Sequence, residues 1–135
     1  MELIFPLLAM LALTFTVSFS VGISRLIAIR KRMVNPKYYR VMSGYDEPAW
    51  LTQINRNYAN LLELPILFYV LVLTALALNI QDTLVTMLAW LFVVLRVVHT
   101  CIHVTYNNTL HRMLVFAMSA IVLLVCWIVL VFSIF

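Results

Sequence analysis

The sequence predicts an all-α integral membrane protein, a four-helix up-and-down bundle. Two observations predict it. The chain is 65% hydrophobic and only 10% charged, where a soluble domain is about half apolar and a quarter charged, and its mean hydropathy is +1.07. Its apolar residues lie in long runs separated by three polar breaks. Four spans of about 20 residues with their connections use nearly all of the length, so one domain over residues 1–135 is expected.

The first helix is expected over about residues 3–29, with Pro6 tolerated in its first turns. A signal peptide is the competing reading of this run. It lacks a basic leader, is too long, and ends in bases rather than a small-residue cleavage site, so a retained helix is expected. A basic loop follows, carrying Arg30, Lys31, Arg32, Lys37 and Arg40 and punctuated by Asn35-Pro36 and Ser43-Gly44. Asp46-Glu47-Pro48 reads as a helix start, with acids at the positive dipole end and proline at the first helical position. The second helix then runs over about 48–78, bent by Pro65. Its roughly 45 Å exceed a hydrocarbon core of ~30 Å, so its first turns should stand in the interface. Asp82 is a fitting N-cap for a third helix over 82–105, and the turn Tyr106–Thr109 leads into a fourth over 110–135. The short later connections imply antiparallel neighbours.

The residues flanking the spans set an expected orientation. Lys and Arg concentrate in the loop over residues 30–55, whereas Met1–Glu2, Asn79–Asp82 and Phe135 carry none. The positive-inside rule places that loop and the Tyr106–Thr109 turn in the cytoplasm and both termini on the opposite side, in a bacterial inner membrane or an ER-type membrane. Tyr38, Tyr39, Tyr45 and Trp50 read as an interfacial aromatic belt. Beside a span, the basic loop is read as topology and lipid headgroup contact rather than a nucleic-acid patch. Two glycines in the chain exclude a phosphate loop or dinucleotide fold. Cys101 and Cys126 both lie in apolar runs and form no extracytoplasmic disulfide framework.

Function is sought among the charges that the spans should not contain. A lipid-facing charge near the bilayer centre costs about 2.5–3.5 kcal/mol, so such residues must face partners, water or a ligand. Arg56, Asn60 and Glu63 fall at i, i+4 and i+7 of the second helix, on one face. Arg96, His99, His103 and Tyr106 fall at i, i+3, i+7 and i+10 of the third. Comparing depths from the shared surface predicts an Arg96–Glu63 ion pair. It could be structural, a buried bridge that only fixes packing. Arg56 and Arg112 near the same surface could each merely snorkel. Taken together, these residues outline a basic, hydrogen-bonding pocket suited to an anionic, polar ligand. His99 and His103 at i, i+4 could suit a metal, but no carboxylate or cysteine repeats the spacing on a facing helix, and no metal is expected.

The stretch Arg56-Asn57-Tyr58-Ala59-Asn60-Leu61-Leu62-Glu63-Leu64-Pro65 resembles the R-x-x-x-N-x-x-E motif, followed by proline, of the MAPEG family of membrane-associated proteins in eicosanoid and glutathione metabolism. Arg96-Val97-Val98-His99-Thr100 resembles the R-x-x-H-[ST] of the prostaglandin E synthase branch, and Arg112 stands where the family has its thiolate-stabilising arginine. The resemblance covers essentially the whole chain. It implies a homotrimer binding glutathione, as thiol co-substrate, between adjacent subunits near the cytoplasmic side. Carried over, Arg56, Asn60, Glu63 and His99 would hold the peptide's carboxylates and amine, with Arg96, His103 and Tyr106 completing the binding set. Arg112 would be the catalytic residue, and Arg25 or Arg30 would be the contribution of helix 1. Several positions depart from the pattern. Ala59 replaces a further glutathione-binding arginine, and Leu61 replaces an aspartate implicated in the prostaglandin branch. His103 stands in place of tyrosine, and Met113 and Phe116 in place of polar residues beside the thiol. These departures count against prostaglandin synthesis. The expected function is a glutathione-dependent transferase or peroxidase acting on lipophilic electrophiles. The alternatives are a non-catalytic lipid-binding or scaffold protein of the same fold, or a small exporter using Glu63 to carry protons.

Overall fold

A computed structural model describes residues 2–44 and 46–134. Its helices are α1 (Ile4–Arg30), α2 (Tyr38–Val41), α3 (Ala49–Leu61), α4 (Leu64–Ala77), α5 (Thr83–Val104) and α6 (Thr109–Phe132), and the described residues form no strand. Four segments are long and apolar enough to cross a membrane: α1, α3 with α4, α5 and α6. The basic loop and the α5–α6 turn lie at one end of the bundle, called here the loop end.

The second span is two helices, and its break has a definite chemical cause. Pro65 has no N–H to bond the Leu61 carbonyl, and its ring crowds that carbonyl one turn back. Glu63 consequently leaves helical geometry, with φ −93° and ψ −93°, before α4 restarts with proline in its first turn. The start of α3 also differs from expectation. Pro48 is the residue before the helix rather than its first member. Glu47 does not cap it either: its carboxylate accepts from Asn55 Nδ2 at 2.8 Å and Thr52 Oγ1 at 3.0 Å.

Sharper signals fix the other ends. Asp82 Oδ1 accepts from the backbone N–H of Leu84 at 2.7 Å and of Val85 at 3.2 Å, starting α5. Asn108 Oδ1 accepts from the His111 N–H at 3.1 Å, starting α6. Between them Asn107 takes a positive φ of 48° and bonds its N–H to the Ile102 carbonyl at 2.8 Å. That is the left-handed stop that asparagine tolerates after a helix.

The core runs along the bundle axis. Leu7, Met10 and Val17 of α1 meet Leu61, Phe68 and Leu71 of α3 and α4, Ala89 and Phe92 of α5, and Leu123 and Cys126 of α6. Phe68 stacks on Phe92 with ring centroids 4.8 Å apart. The outward faces are rich in large apolar side chains, among them Phe15, Phe19, Leu91 and Ile121, as membrane helices require. A smaller cluster of Ala28, Val34 and Leu51, with Tyr38 and Tyr39 packed on it, seats the basic loop on the loop end. Tyr38 and Tyr39 are therefore half-buried against the protein rather than splayed as belt residues, and burial, with Glu47 adding to it, pushes the Tyr39 pKa up. Trp50 is exposed, and Tyr45 lies outside the described residues.

Candidate functional site

α5 turns a polar stripe inward. Arg96, His99, Thr100 and His103 are all buried, on the face that their spacing marks. Tyr106, expected to extend this stripe, lies beyond the end of α5, is 61% exposed, and pairs its hydroxyl with His111 Nδ1 at 3.0 Å.

Opposite this stripe stands α3. Its Gln53 side chain donates to the His103 carbonyl, and the Asn60 carbonyl accepts from Arg96 Nη2 at 2.8 Å. These two bonds are seven residues apart on both helices, so they set an antiparallel register in which Asn57 lies level with His99. Asn57 is fully buried, whereas Arg56, one residue earlier, points out and is exposed. Asn57 lies off the Arg56–Asn60–Glu63 face that the spacing of charged residues marks. The pattern Gln53, Asn57 at i, i+4 was the signal that could have found it.

The expected Arg96–Glu63 ion pair is replaced by another arrangement. The break at Leu62–Glu63 means that no helical N–H closes on the Asn60 carbonyl. The buried guanidinium takes that carbonyl instead and lies 5.5 Å over the Phe116 ring. Among the described residues its Nε and Nη1 have no hydrogen-bond partner, and neither do the two side-chain polar atoms of Asn57, His99 Nδ1, Thr100 Oγ1 or either ring nitrogen of His103. An unmet buried polar group costs about 1–3 kcal/mol, so this seam is the most polar and least satisfied part of the interior.

A recess of about 330 Å³ opens beside the seam, lined by Asn60, Glu63, His99, Thr109, Arg112, Met113 and Phe116. The helix break presents Asn60 and Glu63 to it, α5 presents His99, and the first turns of α6 present the rest. Arg112 is held by its own turn, Nη1 donating to Asn107 Oδ1 at 2.7 Å. Four expected site residues, Asn60, Glu63, His99 and Arg112, thus meet in one place. Arg56, Arg96, His103 and Tyr106 do not line it, although Arg96 and His103 belong to the seam behind. Of the two arginines of α1, Arg25 is occupied with Asn55 Oδ1, at 3.0 Å from Nη2, and Arg30 is exposed; neither reaches the recess. Thr109 went unnoticed in the sequence because it reads as a turn residue.

A larger recess of about 370 Å³ lies at the opposite end, around Glu2, Asn79, Asp82 and Thr86. Among the described residues no lysine, arginine or histidine lines it, and its Asp82 is already committed to capping α5 and to Ser133 Oγ at 3.0 Å. Size therefore favours one recess and chemistry the other: the smaller one brings a carboxylate, a guanidinium, an imidazole and an amide together. Among the described residues no group of three His, Cys, Asp or Glu is placed to hold a metal ion.

The sequence of the MAPEG family, as a family pattern, matches residues 3–132. Neither a curated protein nor a solved structure matches the chain. A match over nearly the full length, on a four-span helical fold, establishes that the chain belongs to the MAPEG family.

Proposed function

We propose that the protein is a membrane-bound glutathione-dependent transferase or peroxidase for lipophilic electrophiles, working as a homotrimer. The observation carrying this reading is the convergence of Asn60, Glu63, His99 and Arg112 in one recess at the loop end. Glu63 supplies a carboxylate for the peptide's ammonium group, Asn60 and His99 supply hydrogen bonds for its carboxylates and amides, and Arg112 faces the sulfur. Arg56, exposed on the neighbouring turn, guides the anionic peptide towards the mouth.

The chemistry follows from the thiol. With a pKa of about 8.5 it is mostly protonated at neutral pH, and a guanidinium beside the sulfur stabilises the thiolate, each unit of lowering being worth about 1.4 kcal/mol. In transfer, the thiolate sulfur forms a bond to the electrophilic carbon and the leaving group departs with its electron pair. In peroxide reduction, sulfur attacks an oxygen, the O–O bond breaks to release an alcohol, and a second glutathione reduces the resulting sulfenic acid to a disulfide and water. Met113 and Phe116 line the same recess and present an apolar wall to a substrate dissolved in the bilayer.

A recess of about 330 Å³ is at the small end for small-molecule sites, which span roughly 300–1,000 Å³. An open site of that size favours closure by a neighbouring subunit. The apolar wall also favours a second reading, a lipid-binding protein of the same fold that holds its ligand without turnover. As for an exporter, Arg96 hydrogen-bonds Asn60 rather than Glu63, so the chain's family membership is what sets that reading below the others.

Titrating glutathione into the detergent-purified protein while following thiolate absorbance tests the leading reading. A thiolate signal that is lost in Arg112→Ala supports it; no signal, or one indifferent to that change, overturns it. Binding without turnover of model electrophiles selects the second reading. Cross-linking that traps trimers supports the assembly, and monomers alone refute it. Drug-dependent proton flux in liposomes, abolished by Glu63→Gln, would select the exporter.

A further inference from the structure

The basic loop has more structure than topology demands. Residues 30–40 carry Arg30, Lys31, Arg32, Lys37 and Arg40 with no acidic residue among them, and all five are exposed. Positive charge alone would suffice to hold a loop on one side of a membrane. Here the segment is folded and docked. The N–H groups of Lys31, Arg32 and Met33 return to the carbonyls of Ile27, Ile29 and Ala28 at 2.9 Å each. Asn35 Oδ1 accepts from the Lys37 N–H at 2.9 Å, and α2 ends at Met42, whose φ is +54°.

Docking sorts the side chains into an inner and an outer set. Val34, 4% exposed, packs with Ala28 and Leu51, and Tyr38 and Tyr39 close over them. The Arg25 guanidinium lies 5.3 Å from the centre of the Tyr39 ring and so clamps this face to α1. The five cations point the other way, and three large apolar side chains stand among them: Met33 at 46%, Val41 at 73% and Met42 at 51% exposure. Exposed methionine and valine beside lysine and arginine are costly against water alone. They are suited to a layer whose outer part is anionic and whose inner part is hydrocarbon. The patch also stands at the loop end, where the recess opens.

We infer that residues 30–42 form a preformed docking surface for anionic phospholipid in the leaflet at the loop end, with Lys31, Arg32, Lys37 and Arg40 on the headgroups and Met33, Val41 and Met42 among the upper acyl chains. This inference is independent of whether the recess binds glutathione.

The test uses the full chain, reconstituted in vesicles of equimolar phosphatidylcholine and phosphatidylglycerol and then briefly solubilised, with the retained lipid counted by mass spectrometry. Phosphatidylglycerol is expected to be retained roughly fivefold over phosphatidylcholine, the equivalent of about one cation's attraction to an anionic surface. In K31Q/R32Q/K37Q/R40Q the ratio should fall towards parity. The pairs K31Q/R32Q and K37Q/R40Q should each lose part of it, and M33S/V41S/M42S should lower total retained lipid of both kinds. Raising salt should erase the wild-type preference, because exposed charges are screened within a few ångströms at high ionic strength. Parity in the wild type, or a preference indifferent to the charge variants, overturns the inference. Should the quadruple variant fail to fold, the paired variants and the wild-type salt titration decide: a salt-insensitive preference refutes the docking surface without any mutant.

Discussion

The break in the second span can be tested through the bond that it makes available. In Pro65→Ala, residue 65 regains an N–H for the Leu61 carbonyl, and Leu64 can close on the Asn60 carbonyl as a continuous helix does. Removing an interior proline relieves about 3 kcal/mol of helix penalty. The healed helix would take from Arg96 the one hydrogen-bond acceptor it has among the described residues, now met at 2.8 Å. A hydrogen bond to a charged group contributes about 1.5–3 kcal/mol, so the two effects nearly cancel in the single variant. Stability of Pro65→Ala alone therefore discriminates poorly.

A double-mutant cycle with Arg96→Met separates the two effects. In the wild-type background Arg96→Met loses the Asn60 bond and the contact over Phe116, the latter worth about 0.5–2 kcal/mol. It also removes two guanidinium nitrogens that have no partner among the described residues. In the Pro65→Ala background the Asn60 bond is already gone, so Arg96→Met should cost less by about 1.5–3 kcal/mol, the size of that bond. Unfolding free energies in mixed micelles give the four corners of the cycle. Additivity within about 0.5 kcal/mol, the normal result for residues that do not interact, would refute the claim that the break exists to free a carbonyl for Arg96.

Other outcomes follow from single groups. Asn57→Leu exchanges a fully buried amide with two unpartnered atoms for an apolar side chain; it should raise stability by about 1–3 kcal/mol, and a loss in thermal unfolding would mean that the amide has a partner in the working protein. Arg112→Lys keeps the charge but not the planar fork, so it should retain part of the thiolate signal that Arg112→Ala loses, as read by absorbance at saturating glutathione. Asp82→Ala should lower the melting temperature, whereas Asp82→Asn, an equally good cap, should nearly preserve it. Backbone hydrogen bonds from Val85 and Leu84, with Ser133 between them in strength, hold the Asp82 carboxyl below its usual pKa. A depressed folded value gives stability that is complete above the unfolded pKa, about 3.9, and lost as pH falls through the folded one. Melting curves below about pH 4 should thus be flatter in Asp82→Ala than in the wild type.

What the sequence revealed, and what it hid, divides along one physical line. Hydropathy reports each span separately, so four spans and the inward stripe Arg96–His99–His103 could be read from composition and period alone. The helix end near residue 105 was legible from the turn Tyr106–Thr109, and a left-handed Asn107 makes that stop, so the period that adds Tyr106 to the stripe runs past the end of α5. The Arg96–Glu63 pair was inferred by comparing depths, which assumes a straight, unbroken helix. Pro65 was read as a bend when it is a break, and a break does two things that a bend does not: it swings Glu63 out to the mouth of the recess, and it leaves a backbone carbonyl free inside. A backbone acceptor has no letter in the sequence, so side-chain pairing was the only partner the letters could suggest for Arg96.

The same reasoning says why the break falls at this position. The proposed function calls for an acidic group at the recess and a buried cation behind it, held apart so that the cation does not consume the acid. A continuous helix at this register would carry Glu63 about one turn past the level of Arg96, within the span of that long side chain, where the two would neutralise one another in low dielectric. Two residues of irregular backbone give Arg96 a neutral partner 2.8 Å away and leave the Glu63 carboxylate free to meet a ligand's ammonium group. Restoring the helix should then weaken glutathione binding even where it leaves stability unchanged. Equal affinity of Pro65→Ala and wild type for glutathione, in a variant shown by its coupling to Arg96 to have healed, would separate the break from the site.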